Sequence, residues 1–343
     1  VSDTEHRGLD LEKLRAYLND SDVPLRGDLR AELISGGKSN LTYFLSDDTS
    51  RWVLRRPPTA GLTPSAHDVA REYTITSALQ KTDVPVAGTV VLCEDVSVLG
   101  APFTLVERID GRVVRTTADL VDVSDTDLDK CVDELVRILG ALHKVDIDAV
   151  GLRQFGRPDG YLTRQVALWA KQWERVKTRA STDLSRLHTA VADSIPNHSE
   201  ASIVHGDYRI DNTILGLDDV GHVAAVVDWE LSALGDPLSD VATMCVYRNP
   251  SFDLVIGEPA AWTSDRMPSI DDLAQRYSLA SGRDLAHWNF YMALAYLKLA
   301  VIAEGIHHRF LVGATVGDGF DRAGESVPEF IAAGLHALKG SSS

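Results

Sequence analysis

The chain has 343 residues, 44% hydrophobic and 24% charged, enough for one large domain or two smaller ones. A net charge of −16 and a pI near 5.0 create long-range repulsion from nucleic acid and anionic membranes, so neither is expected as a partner, and no obligate protein partner is evident. Cys93, Cys131 and Cys245 lie far apart with no C-x-x-C pair, which argues against a zinc ribbon or a disulfide framework and for reduced, buried thiols.

The opening VSDTEHRGLD is polar and has no apolar signal core, so a cytoplasmic protein is expected. Residues 9–19, LDLEKLRAYLN, carry leucines at helical spacing. Three β-like runs follow, AELISGG (31–37), LTYFL (41–45) and RWVLRR (51–56), the last stopped by Pro57 and Pro58. SAHDVAREYTITSALQ (65–80) returns to a helical period, with Ser65 as the expected N-cap. GTVVLCED (88–95) and PFTLVERI (102–109) complete a small β-rich part.

Beyond it the chain is mainly helical. Helices are expected at 125–145, 161–179, 183–195, 236–247, 271–280, 285–308 and 325–339, with short strands at 201–205, 213–217 and 222–229. The apolar stretch YMALAYLKLAVIAEGI (291–306) contains Lys298 and Glu304, is short for a bilayer, and reads as a buried helix. The predicted class is therefore α+β, with a β-rich lobe over residues 1–108 and a larger helical lobe over 109–343. A cleft between unequal lobes is a natural ligand site.

Five features carry the chemistry. Ser35-Gly36-Gly37-Lys38-Ser39-Asn40 is a small, polar turn between strands, whose amides and hydroxyls can cradle phosphate oxygens; a plain hairpin also needs such glycines. Arg55 ends an apolar strand, where a cation calls for an anionic partner, and Arg56 faces the other way by strand alternation. The plainer reading holds both arginines in solvent. Glu72, one helix later, is a candidate partner for Arg55 or a solvated helix residue.

The fourth feature is IVHGDYRIDNTIL (203–215), either a turn between strands or a catalytic loop. His205-Gly206-Asp207 followed by Asn212 lets a carboxylate take a hydroxyl proton and an amide oxygen bind Mg²⁺. The fifth is Asp228, which ends the apolar run in VVDWE and can join Asn212 around a metal. The H-G-D…N…D spacing is far more specific than any one of its members.

These motifs resemble the aminoglycoside phosphotransferase family, whose fold is like that of protein kinases. GGKSN, WVLRRPP, SAHDVAREY, LVERIDG, HGDYRIDN and VVDWELSALGDPLSDVA are most similar to a branch comprising the kinase-like domain joined to some acyl-CoA dehydrogenases and its free-standing bacterial relatives. The resemblance runs from about residue 8 to 338. It implies a protein-kinase-like bilobal fold, with residues 1–108 binding nucleotide and 109–343 supplying catalysis and the acceptor site. Ser35 to Asn40 match the nucleotide-covering loop, Arg55 the phosphate-gripping lysine and Glu72 its helix partner. Val106, Glu107 and Arg108 match the linker that receives adenine, Asp207 the catalytic base, and Asn212 and Asp228 the metal ligands. Arginine in place of lysine is a departure, because its longer, bidentate head holds phosphates differently.

Arg209, two residues after the base, is expected to offset charge on the transferred phosphoryl group, or else to pair with Asp211 or Asp236. His205 is expected to order the loop, and Asp236 and Asp240 to order the loop and cap the following helix. The implied reaction is γ-phosphoryl transfer from Mg²⁺-bound ATP, or another NTP, to the hydroxyl of a small molecule. In 161–179, Tyr161, Leu162, Val166, Trp169, Trp173 and Val176 form one stripe, with Arg164, Lys171, Arg175 and Lys177 off it. That stripe is either core packing or the wall of an apolar acceptor pocket. The pocket reading suits a hydroxyacyl group on a phosphate-bearing carrier such as CoA. Other readings of the same residues are an aminoglycoside or amino-alcohol kinase, a nucleotide-binding pseudoenzyme, and a non-catalytic scaffold.

Overall fold

Strand β3 (Arg51–Arg56) lies at the centre of a five-stranded antiparallel sheet of order β1-β2-β3-β5-β4, formed with β1 (Arg30–Leu33), β2 (Leu41–Ser46), β4 (Thr89–Cys93) and β5 (Phe103–Glu107). The structure, a computed structural model, describes residues 8–34, 40–57, 68–314 and 319–340. Alternation along β3 sends Trp52, Leu54 and Arg56 to one face and Arg51, Val53 and Arg55 to the other. On the first face a core of Tyr43, Leu45, Trp52, Leu54, Phe103 and Leu105 packs with Leu14 and Leu18 of helix α1 (Leu11–Asp20) and with Leu99 of the short α3 (Val96–Leu99). Each such large side chain removed from water stabilises the fold by roughly 1.5–3 kcal/mol.

Helix α2 (Val69–Leu79) packs on β4 and β5 and buries Val69, Glu72, Ile75, Thr76 and Leu79, a helical stripe that includes the glutamate. Its N-cap is Asp68, whose carboxylate accepts from Arg71 N. The helix therefore starts later than the expected residue 65, because an acid nearer its first turn caps it. Ser65 lies outside the described residues. Arg56 also departs from the solvent reading: it is fully buried, and its guanidinium donates to the carbonyls of Gly8, Leu99 and Pro57.

The unit built on this sheet runs to Asp110 and includes Ala224–Ser232. A second unit, Gly111–Val223 with Ala233 onward, is mainly helical. It contains α4 (Asp125–Lys144), α5 (Tyr161–Val176), α6 (Thr182–Asp193), α7 (Pro237–Val246), α8 (Phe252–Ile256), α9 (Ile270–Ser281), α10 (Trp288–Leu311) and α11 (Ser326–Lys339). Short strands β6 (Ser202–Val204) and β7 (Thr213–Leu215) flank the HGD loop, and β8 (Val223–Val226) leads the chain toward Asp228. β6 pairs antiparallel with β9 (Ala233–Gly235). α10 is long and apolar enough to cross a membrane by length and composition, more so than its central stretch in the sequence indicates. Here 78% of its most apolar window is buried, packed against α5, α6, α7 and α11. Cys93, Cys131 and Cys245 are free and buried.

Candidate active site

In the sheet-containing unit, Arg55, Glu72 and Asp228 meet. Arg55 Nη1 is 2.8 Å from Glu72 Oε2, and its Nη2 is 3.8 Å from Asp228 Oδ1. The carboxyl of Glu72 is pushed up to about 7, first by burial, with Arg55 pulling it down and the negative Asp228 pushing it up further. Asp228 itself has φ 64° and ψ 59°, the left-handed region that a non-glycine residue adopts at a cost. Arg55 Nε, Glu72 Oε1 and Asp228 Oδ1 are buried without a hydrogen bond among the described residues. Three desolvated polar atoms in one cluster form a site suited to an ionic ligand.

The turn residues Ser35, Gly36, Gly37, Lys38 and Ser39 lie outside the described residues. Asn40, at their end, is buried, and neither its Oδ1 nor its Nδ2 has a partner among the described residues. At the end of β5, Glu107 N donates to Gly88 O and Arg108 N to Arg51 O. The Arg108 guanidinium stacks over Phe44 at 4.0 Å and pairs with Asp110 at 3.5 Å.

In the helical unit, the HGD loop is suspended from a buried network. Asp240 of α7 accepts from Gly206 N on Oδ1 (2.8 Å) and from His205 N on Oδ2 (2.6 Å), and His143 Nε2 lies 3.3 Å from Oδ2. Tyr277 holds the other ring nitrogen of His143 at 2.7 Å. Burial lowers the His143 pKa, against the hydrogen bond and charge of Asp240, which pull it up. Tyr208, wholly buried, ties the loop to α4 by donating to Leu135 O. Asp236 caps α7 by accepting from Leu238 N and also accepts from Ser199 and Tyr291, so it is not the partner of Arg209.

This frame presents Asp207 with both carboxylate oxygens engaged. Tyr247 donates its hydroxyl to Oδ1 at 2.6 Å, and Asn212 donates Nδ2 to Oδ2 at 3.0 Å and to the backbone carbonyl at 2.7 Å. Arg209 Nη1 is 3.4 Å from the same Oδ1, while its Nε pairs with Asp211 at 2.6 Å. Its guanidinium lies 5.1 Å from the Tyr247 ring centroid and 5.3 Å from that of Phe252. Burial works against the Arg209 charge, but Asp207 and Asp211 outweigh it and raise its pKa. Burial and then Asp207 push the Tyr247 hydroxyl far above its ordinary value, so it remains a donor.

Beside this loop lies a small, solvent-open pocket. Tyr161, Gln165 and Trp169 of α5 form one wall, Leu294, Ala295 and Lys298 of α10 another, and Gly206 reaches it from the loop. The stripe read on 161–179 therefore divides. Leu162, Val166 and Trp173 are buried core, whereas Tyr161 and Trp169 line the pocket. Of the off-stripe cations, Arg164, Lys171, Arg175 and Lys177 are exposed.

No cluster of three His, Cys, Asp or Glu side chains poised for a metal occurs among the described residues. In the sheet-containing unit Asp228 has a buried oxygen without a hydrogen bond among the described residues, and in the helical unit Asn212 commits its Nδ2 to Asp207, which leaves its amide oxygen uncommitted to that contact. A carboxylate oxygen and an amide oxygen are each the kind of hard donor that Mg²⁺ takes.

Tyr247, His143, Tyr277 and Lys298 escape a reading of the motifs. Tyr247 ends an apolar helix far along the chain from Asp207, and nothing local marks it. Lys298 had one signal: a cation inside an otherwise apolar helical run.

A sequence profile of the phosphotransferase enzyme family (APH) matches residues 30–278. Mouse acyl-CoA dehydrogenase family member 10 is 35% identical over 281 residues, covering 81% of this chain but only 26% of that protein, so the chain spans about a quarter of that relative. The crystal structure of a putative aminoglycoside phosphotransferase from Ralstonia eutropha superposes with a TM-score of 0.84 at 32% identity, covering 97% of this chain and 99% of the other. Aminoglycoside phosphotransferase APH(4)-Ia, solved as a ternary complex with AMP-PNP and hygromycin B, shares the fold at a TM-score of 0.61 and 15% identity, covering 96% of this chain and 99% of its own. With its β-rich and helical units, this α+β, protein-kinase-like chain belongs to the phosphotransferase enzyme family.

Proposed function

We propose that the protein transfers the γ-phosphoryl group of a Mg²⁺-bound nucleotide, ATP or another NTP, to the hydroxyl of a small molecule, and that the acceptor is a hydroxyacyl-CoA-like compound. The observation that carries this reading is Asp207, a carboxylate held by Tyr247, Asn212 and Arg209 next to an aromatic-walled pocket. The likeness to a part of an acyl-CoA dehydrogenase family member supports the acyl-CoA element.

Residues 1–108 serve the nucleotide in this reading, and residues 109–343 supply the base, the metal ligands and the acceptor pocket. Asn40 and the turn before it, with Glu107 and Arg108, border the nucleotide, and Arg55, held by Glu72, grips its phosphates. Asn212 and Asp228 would hold Mg²⁺, which when bound neutralises phosphate charge. Asp207 aligns the acceptor hydroxyl and takes its proton as the oxygen bonds to the γ-phosphorus and the bond to the β-phosphate oxygen breaks. Arg209, fixed by Asp211 and stacked on Tyr247, offsets the charge that spreads over the moving group. Positioning and charge do most of this work, which suits a loop whose polar atoms are this fully held.

The test is phosphate transfer from [γ-³²P]ATP to hydroxyacyl-CoAs, with Asp207→Asn as control. The substitution is expected to remove roughly 10²–10⁴-fold of the rate while ATP binding persists. Full activity in that variant would refute the assignment.

A further inference from the structure

Lys298 sits in the pocket wall on α10, beside Leu294 and Ala295, in a lining that also includes Asp240, Ser239 and Thr243 of α7. Its Nζ donates to Gly206 O at 2.8 Å and forms no ion pair among the described residues. The nearest acids do not hold it. Asp240 has both oxygens taken by Gly206 N, His205 N and His143, and Asp207 is held by Tyr247, Asn212 and Arg209. Burial presses the ammonium toward its neutral form, while the fields of Asp207 and Asp240 sustain its charge. A buried ammonium with no ion pair among the described residues is destabilising for the fold alone, and its presence there calls for a ligand.

We infer that Lys298 determines which acceptor the pocket takes: its ammonium receives a carbonyl or carboxylate oxygen of the acceptor, and the pocket rejects amino alcohols and amino sugars. The inference rests on the phosphotransferase reading above, which places the acceptor beside Gly206 and Asp207. An ammonium has three N–H donors, and Gly206 O uses one. Two remain for an oxygen in the pocket. Gln165 and Thr243 add neutral polar contacts, and Tyr161 and Trp169 cover an apolar chain. An amine-bearing acceptor would bring a second cation next to Lys298, with no uncommitted carboxylate in the wall to receive it.

Binding calorimetry separates this from catalysis. The probes are short hydroxy acids and their thioesters, the matched diols without the carbonyl, and the matched amino alcohols. Wild-type protein is expected to bind the carbonyl-bearing probes at least tenfold more tightly than either control, a comparison that needs no variant. Lys298→Gln keeps a donor for Gly206 O but removes the charge. It should weaken those probes at least tenfold while leaving nucleotide affinity unchanged. The inference fails if amino alcohols bind wild type equally well, if no oxygen-bearing probe binds, or if Lys298→Gln weakens nucleotide instead of acceptor. Probe binding that depends on Lys298, without Asp207-dependent phosphate transfer, would support the pairing and sink the phosphotransferase reading.

Discussion

Tyr247 places its hydroxyl 2.6 Å from Asp207 Oδ1, across forty residues of sequence, and ties the end of α7 to the HGD loop. A hydrogen bond to a charged group is worth about 1.5–3 kcal/mol. Tyr247 also gives Arg209 a ring to lie on, so it fixes two side chains at once. Tyr247→Phe keeps the ring and loses the hydroxyl. We expect kcat to fall on the order of tenfold and the melting temperature by about 2–4 °C, with the acceptor KM little changed. Steady-state kinetics on the purified variant decide this, and an unaltered kcat would reduce Tyr247 to packing.

Asp240 receives two backbone N–H groups and faces His143 with no exposure to solvent. Asp240→Asn has only one oxygen, so its amide N–H₂ must confront one of those donors. An unsatisfied buried polar pair of this kind destabilises by about 3 kcal/mol. Urea unfolding should show the midpoint falling with the slope unchanged. Loss of activity with full stability would mean that the carboxylate does more than hold the loop.

Much of the fold is legible in the sequence because its signals are local. RWVLRR reads as a strand because an aromatic and aliphatic run ends at Pro57, and β3 spans those six residues. The pairing of Arg55 with Glu72 is legible only as one of two alternatives: a strand-end cation calls for an anion, and the family resemblance, not the helix itself, points to Glu72. The burial of Arg56 is not legible. Its partners are main-chain carbonyls of Gly8 and Leu99, and no side-chain pattern announces a carbonyl. β9 is hidden for a related reason: three residues are too few to alternate, and pairing with β6 alone makes them a strand. The pocket beside the HGD loop is hardest to read, because Tyr161, Trp169, Gly206 and Lys298 converge only through helix packing.

Glu72 makes the stability of the nucleotide-free protein depend on pH. Its ordinary value is 4.5 and its folded value about 7, so folding favours the neutral carboxyl. That contribution is complete below about 4.5 and is lost as pH rises through about 7. The loss is at most roughly 3 kcal/mol, at 1.36 kcal/mol for each pH decade between the two values. Wild type should therefore lose stability across this window, and Glu72→Gln should flatten the curve. Identical pH profiles for the two proteins would show that Arg55 keeps Glu72 ionised throughout.

Arg55 reaches Glu72 with one terminal nitrogen and approaches Asp228 with the other, at 2.8 and 3.8 Å. A lysine has a single head on a shorter stem and cannot meet both acids in this way. Arg55→Lys restores the residue common in kinases, yet here it should weaken the site, because Asp228 loses its neighbouring cation and Glu72 is held alone. The side chain is partly exposed, so the fold should lose less than about 1 kcal/mol. Nucleotide handling should suffer more: we expect kcat/KM for Mg-ATP to drop roughly ten- to a hundredfold, about 1.4–2.7 kcal/mol of transition-state stabilisation. Thermal stabilisation by Mg-AMP-PNP should shrink in parallel. If the lysine variant turns over as fast as wild type, the two-acid bridge is not what this site requires of its cation.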